Sequence, residues 1–318
     1  MHYDIFNGDA DGIFALHQYR LANPQPGNRL ITGVKRDIRL LSHIDNPENC
    51  RLNVFDISLD SNRSALMQLL HQQNSVLYFD HHYAGTIPDS PLLQTHIDPS
   101  PETCTSLIVN KTLDGKHYLW AICGAFGDNL HAVAGRYAKA QNLTKEQTDQ
   151  LQELGELFNY NGYGETLADL HFHPRDLFTA VTPYTSPFDF MATSKELRTL
   201  RMGYHEDLAL AMQVKEMKTP GKNRVYAFPD TSWARRVTGV YSNLRAREDT
   251  GAAHAVISEN DDRSVRISVR APLDDRRDAD TLCKQFPSGG GRAAAAGINS
   301  LPADQLERFL EKFLSFYH

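Results

Sequence analysis

The chain has no closely paired cysteines. Cys50, Cys104, Cys123 and Cys283 are widely spaced, and no C-x-x-C pair occurs, which argues against a cysteine-rich zinc site. Cys104 and Cys123 sit in apolar surroundings and read as buried thiols. No apolar run approaches the roughly 18 residues a membrane span needs, so no membrane partner is expected. The first residues enter a strand pattern with no basic segment, apolar run and cleavage site ahead of it, and a cytoplasmic location is the expectation. There is no basic excess either. A formal net charge of −6 argues against a protein that coats long duplex nucleic acid. It leaves room for a short anionic substrate if bound metal neutralises some of the acids. Internal repeats and low-complexity tracts are also missing.

What is present is enough apolar material for real cores. The chain has 318 residues, 41% of them hydrophobic, a length that suggests two domains. Over residues 1–140, strand and helix patterns alternate. Strands are expected at 3–7, 29–34, 53–56 and 75–80, and helices at 13–21, 38–44, 62–73, 106–111 and 118–126, the last apolar and buried. Residues 103–106 would cap the helix that follows them. Strands separated by helices in this way imply right-handed crossovers and a parallel sheet. Residues 144–158 open with Thr144 and Gln147 in a capping-box pattern. Residues 159–190 read as loop-rich, and a long helix is expected over 194–217. The turn cluster at 219–223 reads as a boundary. Beyond it come strands at 224–228, 253–258 and 264–271, with helices near 234–244, 279–286 and 303–317. The expected fold is therefore α/β in two lobes with a cleft between them. Its parts are a parallel-sheet domain over 1–140, a helical and loop connector over 141–218, and a smaller α/β domain over 219–318.

In a parallel sheet the ligand site lies beyond the carboxyl ends of the strands. Three apolar runs end there on acids and histidines: Ile5-Phe6-Asn7-Gly8-Asp9-Ala10-Asp11-Gly12, Leu52-Asn53-Val54-Phe55-Asp56, and Val76-Leu77-Tyr78-Phe79-Asp80-His81-His82. The second expected strand gives Lys35 and Arg36 the same address. Asp9 and Asp11 flank one residue at a glycine-bounded turn, where both can converge on one point. Carboxylates held so close repel unless a cation or proton intervenes. Hard oxygens with an imidazole suit Mn²⁺ or Mg²⁺ better than zinc. The blander alternative is an acidic first turn that favours the helix dipole; Asp56 and the Asp80-His81-His82 run, taken together with the pair, outweigh it.

Further along, Ser288-Gly289-Gly290-Gly291-Arg292 precedes Ala293-Ala294-Ala295-Ala296-Gly297. It reads as a glycine loop that opens a small-residue helix, a place where backbone N–H groups bind anions, with Arg292 as a bidentate donor. A flexible surface loop is the alternative. Ser268 and Arg270 share one face of a strand, either to bind phosphate or to line a solvated face. His171 and His173 share a face if extended; a structural role is favoured over substrate contact.

These motifs, in this order, resemble the DHH phosphoesterase superfamily, named for its Asp-His-His run. The first motif resembles Asn7 to Gly12, the second Asp56, the third Asp80-His81-His82, and the fourth Asp128 in Gly127-Asp128-Asn129. The glycine stretch is similar to the G-G-G-H-x-x-A-A-G motif of the DHH-associated C-terminal domain, and Ser268-Val269-Arg270 to the strand before it. The resemblance spans most of the chain. It implies a manganese-dependent phosphoesterase, with Asp9, Asp11, Asp56, His81 and Asp128 as metal ligands and Asp56 bridging two ions. His82 would face the scissile phosphate, and Asp80 would orient the histidines. Arg270, Ser268, Gly289, Gly290, Gly291 and Arg292 would hold the far end of the substrate. There are two departures. Ile5 stands where many members, nano-RNases among them, carry a metal-binding histidine, and Arg292 stands where the C-terminal motif has histidine. Residues 145–200 match none of the motifs.

The implied reaction is hydrolysis by metal-activated water of short oligonucleotides or of linear or cyclic dinucleotides, with two Mn²⁺ ions as cofactor and Mg²⁺ as the alternative. The rival readings are a single-strand exonuclease, a phosphomonoesterase or polyphosphate hydrolase of the same superfamily, and a degenerate nucleotide-binding regulatory module. Assembly as a homodimer is left open.

Overall fold

The computed structural model describes residues 1–260 and 262–317. The chain divides into two compact units, Met1–Met202 and Gly203–His318. The N-terminal unit contains, in order, β1 (His2–Phe6), α1 (Ala10–Ala22), β2 (Arg29–Ile31), β3 (Arg51–Phe55), α2 (Leu59–His71), β4 (Ser75–Asp80), β5 (Leu93–Ile97), α3 (Thr105–Thr112), α4 (Tyr118–Gly127), α5 (His131–Ala140), α6 (Lys145–Gly162), α7 (Pro174–Val181) and α8 (Pro187–Thr193). The division falls inside α9 (Lys195–Met212). The C-terminal unit then holds β6 (Arg224–Phe228), α10 (Ser232–Glu248), β7 (His254–Glu259), β8 (Val265–Arg270), α11 (Ala279–Cys283), β9 (Gly289–Arg292), β10 (Ala295–Leu301) and α12 (Leu306–Phe316).

The first sheet is wholly parallel, in the order β2-β1-β3-β4-β5. Its inner strands are buried on both faces and therefore read as nearly unbroken apolar runs. One face packs on Leu66, Leu69 and Leu70 of α2. The other carries aromatic rings, with Phe14 of α1 meeting Trp120 of α4 and Phe158 of α6 at ring separations of 5.2 and 4.8 Å. The pairing register aligns Phe6, Phe55, Phe79 and His96 in one row across four strands. Phe55 stacks on Phe79, and Phe79 on His96. A parallel register repeats itself at the next residue, so Asn7, Asp56 and Asp80 emerge at one level above that row. In this strand order the chain leaves β1 and β3 on opposite sides, which opens a crevice at their ends.

Several sequence expectations change here. Residues 141–202 are not a separate connector but belong to the first unit, where α6 packs on α4 and α1. The boundary falls at 202/203 rather than at the 219–223 turn. The loop-rich stretch contains α7 and α8, whose Pro174 and Pro187 occupy first-turn positions behind the caps His173 and Ser186. Proline fits there because its missing N–H has no helical partner to lose. The long helix stops at Met212, and β2 stops at Ile31, so Lys35 is carried by a loop. The capping box of Thr144 and Gln147 is present.

The second sheet has the order β6-β7-β8-β10-β9, with β6 and β7 parallel and the rest antiparallel. One face buries Ile267, Val269 and Ile298 with Phe309 and Phe313 of α12. Tyr226, Phe228 and Val256 pack on the other against Val237 and Tyr241 of α10. The Gly289–Gly297 stretch is not a loop opening a helix. It forms the β9–β10 hairpin, with Ala295 opposite Arg292 and Gly297 opposite Gly290. Gly291 has φ +138°, and a Cβ there would meet the Ala296 Cα at 2.4 Å, so the close strand approach requires glycine. Four alanines allow a helix, but pairing along β8 decides for strand. The anion site at a helix N-terminus is therefore absent. No helix among the described residues is long and apolar enough to cross a membrane.

One buried histidine makes the N-terminal unit sensitive to pH. His17 of α1 donates its Nε2 proton to the Tyr184 carbonyl at 2.9 Å and lies edge-on to Trp120. Burial pushes its pKa down to about 4, with His117 assisting and the Tyr184 carbonyl opposing. The unfolded chain therefore takes up the proton first. The contribution is complete above pH ~6.5 and is lost as pH falls through about 4. Denaturant titrations should show stability dropping by about 2–3 kcal/mol across that window, with His17→Gln flattening this part of the profile. An unchanged profile in the variant would refute the assignment.

Candidate metal centre

The candidate site lies wholly within the N-terminal unit. Asp9 is the N-cap of α1, where its Oδ1 accepts the Gly12 N–H at 3.0 Å. Its Oδ2 accepts from the Lys35 ammonium at 2.5 Å. Asp11, two residues later, points elsewhere. Its two oxygens accept the backbone N–H groups of Thr105 and Ser106, each at 2.7 Å. The cap of α3 is thus supplied by α1 rather than by residues 103–106: Cys104 holds the N-cap position and makes no side-chain cap bond. A carboxylate oxygen has two lone pairs, so Asp11 retains capacity for a cation.

Asp56 directly follows β3, in the left-handed region at φ +61°. That conformation is uncommon for a residue with a side chain and concentrates at functional positions. Its Oδ1 accepts from the Thr105 hydroxyl at 2.9 Å and lies 3.4 Å from His81 Nε2. Asp128 follows α4 as its C-cap, with Oδ2 3.8 Å from the same nitrogen. Asp80 is fully buried at the end of β4. Its Oδ1 accepts the His81 backbone N–H at 2.9 Å and the His82 Nδ1 proton at 2.7 Å. The His82 ring is thereby fixed with Nε2 free, and its side chain is 43% exposed.

Two sets of side chains bring ligand atoms within 4.8 Å of one another: Asp56, His81 and His82, and Asp11, His81 and Asp128. Both share His81. Asp9 is in neither set. Three oxygen ligands and two imidazoles, mostly buried, form a donor set that fits a hard or borderline divalent ion.

The electrostatics show the cost of gathering these acids. Burial, then Asp11 and Asp9, push the Asp56 carboxyl well above the usual range against the pull of His81. Burial also raises Asp128, with Lys35 opposing. Burial would raise Asp9 too, but the Lys35 ammonium and the Gly12 N–H hold it below the usual value. His81 moves the other way. Burial disfavours its charge, but Asp56, Asp11 and Asp128 outweigh that and push it up to about 10.

The structure gathers Asp9, Asp11, Asp56, Asp80, His81, His82, Asp128 and Lys35 at the strand ends. Arg36 is exposed and enters neither metal-ligand set. His171 hydrogen-bonds with the Tyr160 hydroxyl at 2.8 Å, and His173 caps α7 by accepting the Arg175 N–H. In the C-terminal unit, Ser268 and Arg270 do share a face of β8. Arg270 donates to Ser268 at 3.0 Å and to Asn243 of α10 at 2.7 Å. Ala295 pairs with both Arg270 and Arg292, which places the two arginines on one sheet face about 10 Å apart. Gly297 lies opposite Ser268 and Gly290 opposite Gly297, and neither presents a side chain.

Sequence reasoning missed Thr105, Asn159 and Tyr163. Asn159 accepts from Lys35 at 2.9 Å, and the ammonium lies 5.5 Å from the centre of the Tyr163 ring. The signal was the Asn159-Tyr160-Asn161-Gly162-Tyr163 run. It reads as loop, but it includes the buried last turn of α6.

No family model matches the chain, and no curated protein matches its sequence. Solved structures do match its fold. A manganese-bound exonuclease RecJ superposes with a TM-score of 0.60 at 15% identity, over 99% of this chain and 89% of that one. RecJ from Thermus thermophilus in complex with Mn²⁺ gives 0.59 at 14% identity, over 99% of this chain; the chain spans about half, 52%, of that longer protein. The pGpG-specific phosphodiesterase PggH of Vibrio cholerae gives 0.58 at 13% identity, over 99% and 98% of the two chains. The chain has the two-sheet α/β fold of these proteins.

Two outcomes test the electrostatics. Ligation needs neutral His81, so Mn²⁺ binding should release at least about one proton, and affinity should rise about tenfold per pH unit between pH 6 and 8. Calorimetry in buffers of different ionisation enthalpy measures this; no proton release would contradict it. Asp56→Asn should raise the melting temperature of the metal-free protein by a few degrees, because a neutral amide replaces a repelled buried carboxyl. It should also abolish Mn²⁺ binding. A lower melting temperature would instead make Asp56 a structural acid.

Proposed function

We propose that this chain is a divalent-cation-dependent phosphoesterase of the DHH superfamily that hydrolyses short nucleotides: oligonucleotides of a few residues, or linear or cyclic dinucleotides. One observation carries the reading. His81 joins two converging sets of candidate ligands, one with Asp11 and Asp128 and one with Asp56 and His82, and His82 is braced by a buried carboxylate. Mn²⁺ is the preferred ion, with Mg²⁺ the alternative, from the mixed oxygen and imidazole donors. Fold neighbours named as an exonuclease and as a phosphodiesterase support the same class of reaction.

A divalent ion bound there supplies Lewis-acid polarisation of a phosphoryl oxygen and a water that ionises near neutral pH. The remaining work belongs to side chains. Asp80 holds the His82 ring through Nδ1, so Nε2 is the nitrogen available to a phosphoryl or leaving oxygen, where it can donate a proton. Thr105 orients the Asp56 carboxylate by donating to its Oδ1. Tyr83 follows His82 and is 75% exposed. Its ring is available to a nucleobase, and such stacking contributes about 1–3 kcal/mol per base.

The C-terminal unit supports a short substrate with a defined end. Arg270 is preset by Asn243 and Ser268, and Arg292 lies on the same face across Ala295. Two arginines on one sheet face, with their backbones about 10 Å apart and a side-chain-free glycine pair nearby, suit a terminal phosphate and a base edge rather than a long backbone. The acidic balance of the chain disfavours a groove for long single strands.

Turnover with Mn²⁺ should be highest for substrates of two to five nucleotides or cyclic dinucleotides and should fall with length; best turnover on long single-stranded DNA would instead favour an exonuclease. Asp80→Asn should lower kcat by about 10²–10⁴ with Mn²⁺ affinity nearly unchanged. Full activity in that variant would remove Asp80 and His82 from the mechanism.

A further inference from the structure

We infer that the Lys35 ammonium is a resident cation standing where a second metal ion would sit, so that the centre holds one divalent ion rather than two. The inference rests on the metal-centre reading above and changes its stoichiometry.

The contacts of Lys35 are those of a cation among ligands. Nζ is 2.5 Å from Asp9 Oδ2, 2.9 Å from Asn159 Oδ1 and 3.8 Å from Asp128 Oδ1. The Tyr163 ring closes a further side, with its centre 5.5 Å away, and Asn159 Nδ2 in turn donates to the Tyr163 hydroxyl at 3.4 Å. With its other oxygen on Gly12, Asp9 has both oxygens engaged. Asp9, alone of the four clustered aspartates, joins neither set of converging metal ligands.

The backbone around Lys35 is seated as firmly as its side chain. Its N–H donates to Gly162 at 2.9 Å, and its carbonyl accepts from Asn7 Nδ2 at 3.1 Å. The segment approaches β1 so closely that a Cβ on Gly8 would fall 1.9 Å from the Gly33 carbonyl oxygen. Three separate segments, residues 7–9, 33–35 and 159–163, therefore combine to deliver one ammonium to one carboxylate. A long surface lysine that had swung inward would need none of these anchors.

Strand β1 offers no alternative ligand. Ile5 is fully buried in the apolar cluster on the α2 side of the sheet, so the position four residues before Asp9 brings no imidazole. A second ion at Asp9 would have to displace or share the place of a positive charge already bonded there. A fixed ammonium supplies charge without exchange, whereas a divalent ion bound among Asp11, Asp56, His81, His82 and Asp128 would remain exchangeable.

The test counts ions, not turnover. Metal-free protein is titrated with Mn²⁺ by calorimetry, and the loaded protein is examined by electron paramagnetic resonance. The wild type should bind one Mn²⁺ per chain with the spectrum of an isolated ion. Lys35→Gln and Lys35→Met should bind two, with the spectrum of a spin-coupled pair. Two ions in the wild type overturn the inference and leave the metal centre standing; so do variants that fold and still bind one. No Mn²⁺ in the wild type overturns the metal centre itself. If neither variant folds, the wild-type count decides alone.

Discussion

Four aspartates repel one another in a space that water barely enters, and the rest of the N-terminal unit is arranged around that fact. Asp9, Asp11 and Asp56 are almost completely buried. Such a gathering persists only if something positive or protic stands among the carboxylates. Each has found a different answer. Asp9 has an ammonium, and Asp11 has the first N–H groups of α3. Asp56 has a raised pKa and the His81 imidazole, and Asp128 keeps partial access to solvent. A divalent cation would answer the remaining repulsion in one step, which makes the arrangement economical as a binding site and strained without one.

The sheet supplies the precision this requires. The row Phe6, Phe55, Phe79 and His96 is a packing device, but its consequence is chemical. Rings stacked across neighbouring strands resist a one-residue slip, and such a slip would turn every side chain to the opposite face. The residues immediately after that row therefore arrive at a common level. The site is placed by apolar packing and only then tuned by charge. The small residues of α1 and α4 act in the same way, since they let these helices come close enough for Asp11 to reach α3.

Much of this was legible from residue order. An apolar run ending in Asp56, another ending in Asp80-His81-His82, and the Asp9/Asp11 turn announce strand ends that converge, because parallel strands share a direction. The capping box at Thr144 was readable because its geometry is local. The glycine-alanine stretch was misread for the opposite reason. Gly289 to Gly297 has the composition of a loop and a small-residue helix, and only the backbone partners along β8 make it a hairpin. Residues 159–190 read as loop-rich because the helices that begin at Pro174 and Pro187 depend on packing that the local sequence does not display.

Residue types and their order along the chain determined that a parallel sheet would carry acids and histidines at its carboxyl ends, because strand direction and apolar periodicity are written locally. They also determined that Ser268 and Arg270 share a face, since strand alternation has period two. The sequence could not show that Asp11 would cap α3, that His82 would be braced through Nδ1, or that Arg292 would lie across Ala295 from Arg270. Nor could it show that Lys35 would reach Asp9, a contact that joins the end of β1, the loop after β2 and the C-terminal end of α6. Those contacts join residues tens of positions apart, and their geometry exists only after the sheet has set its register and the helices have packed against it.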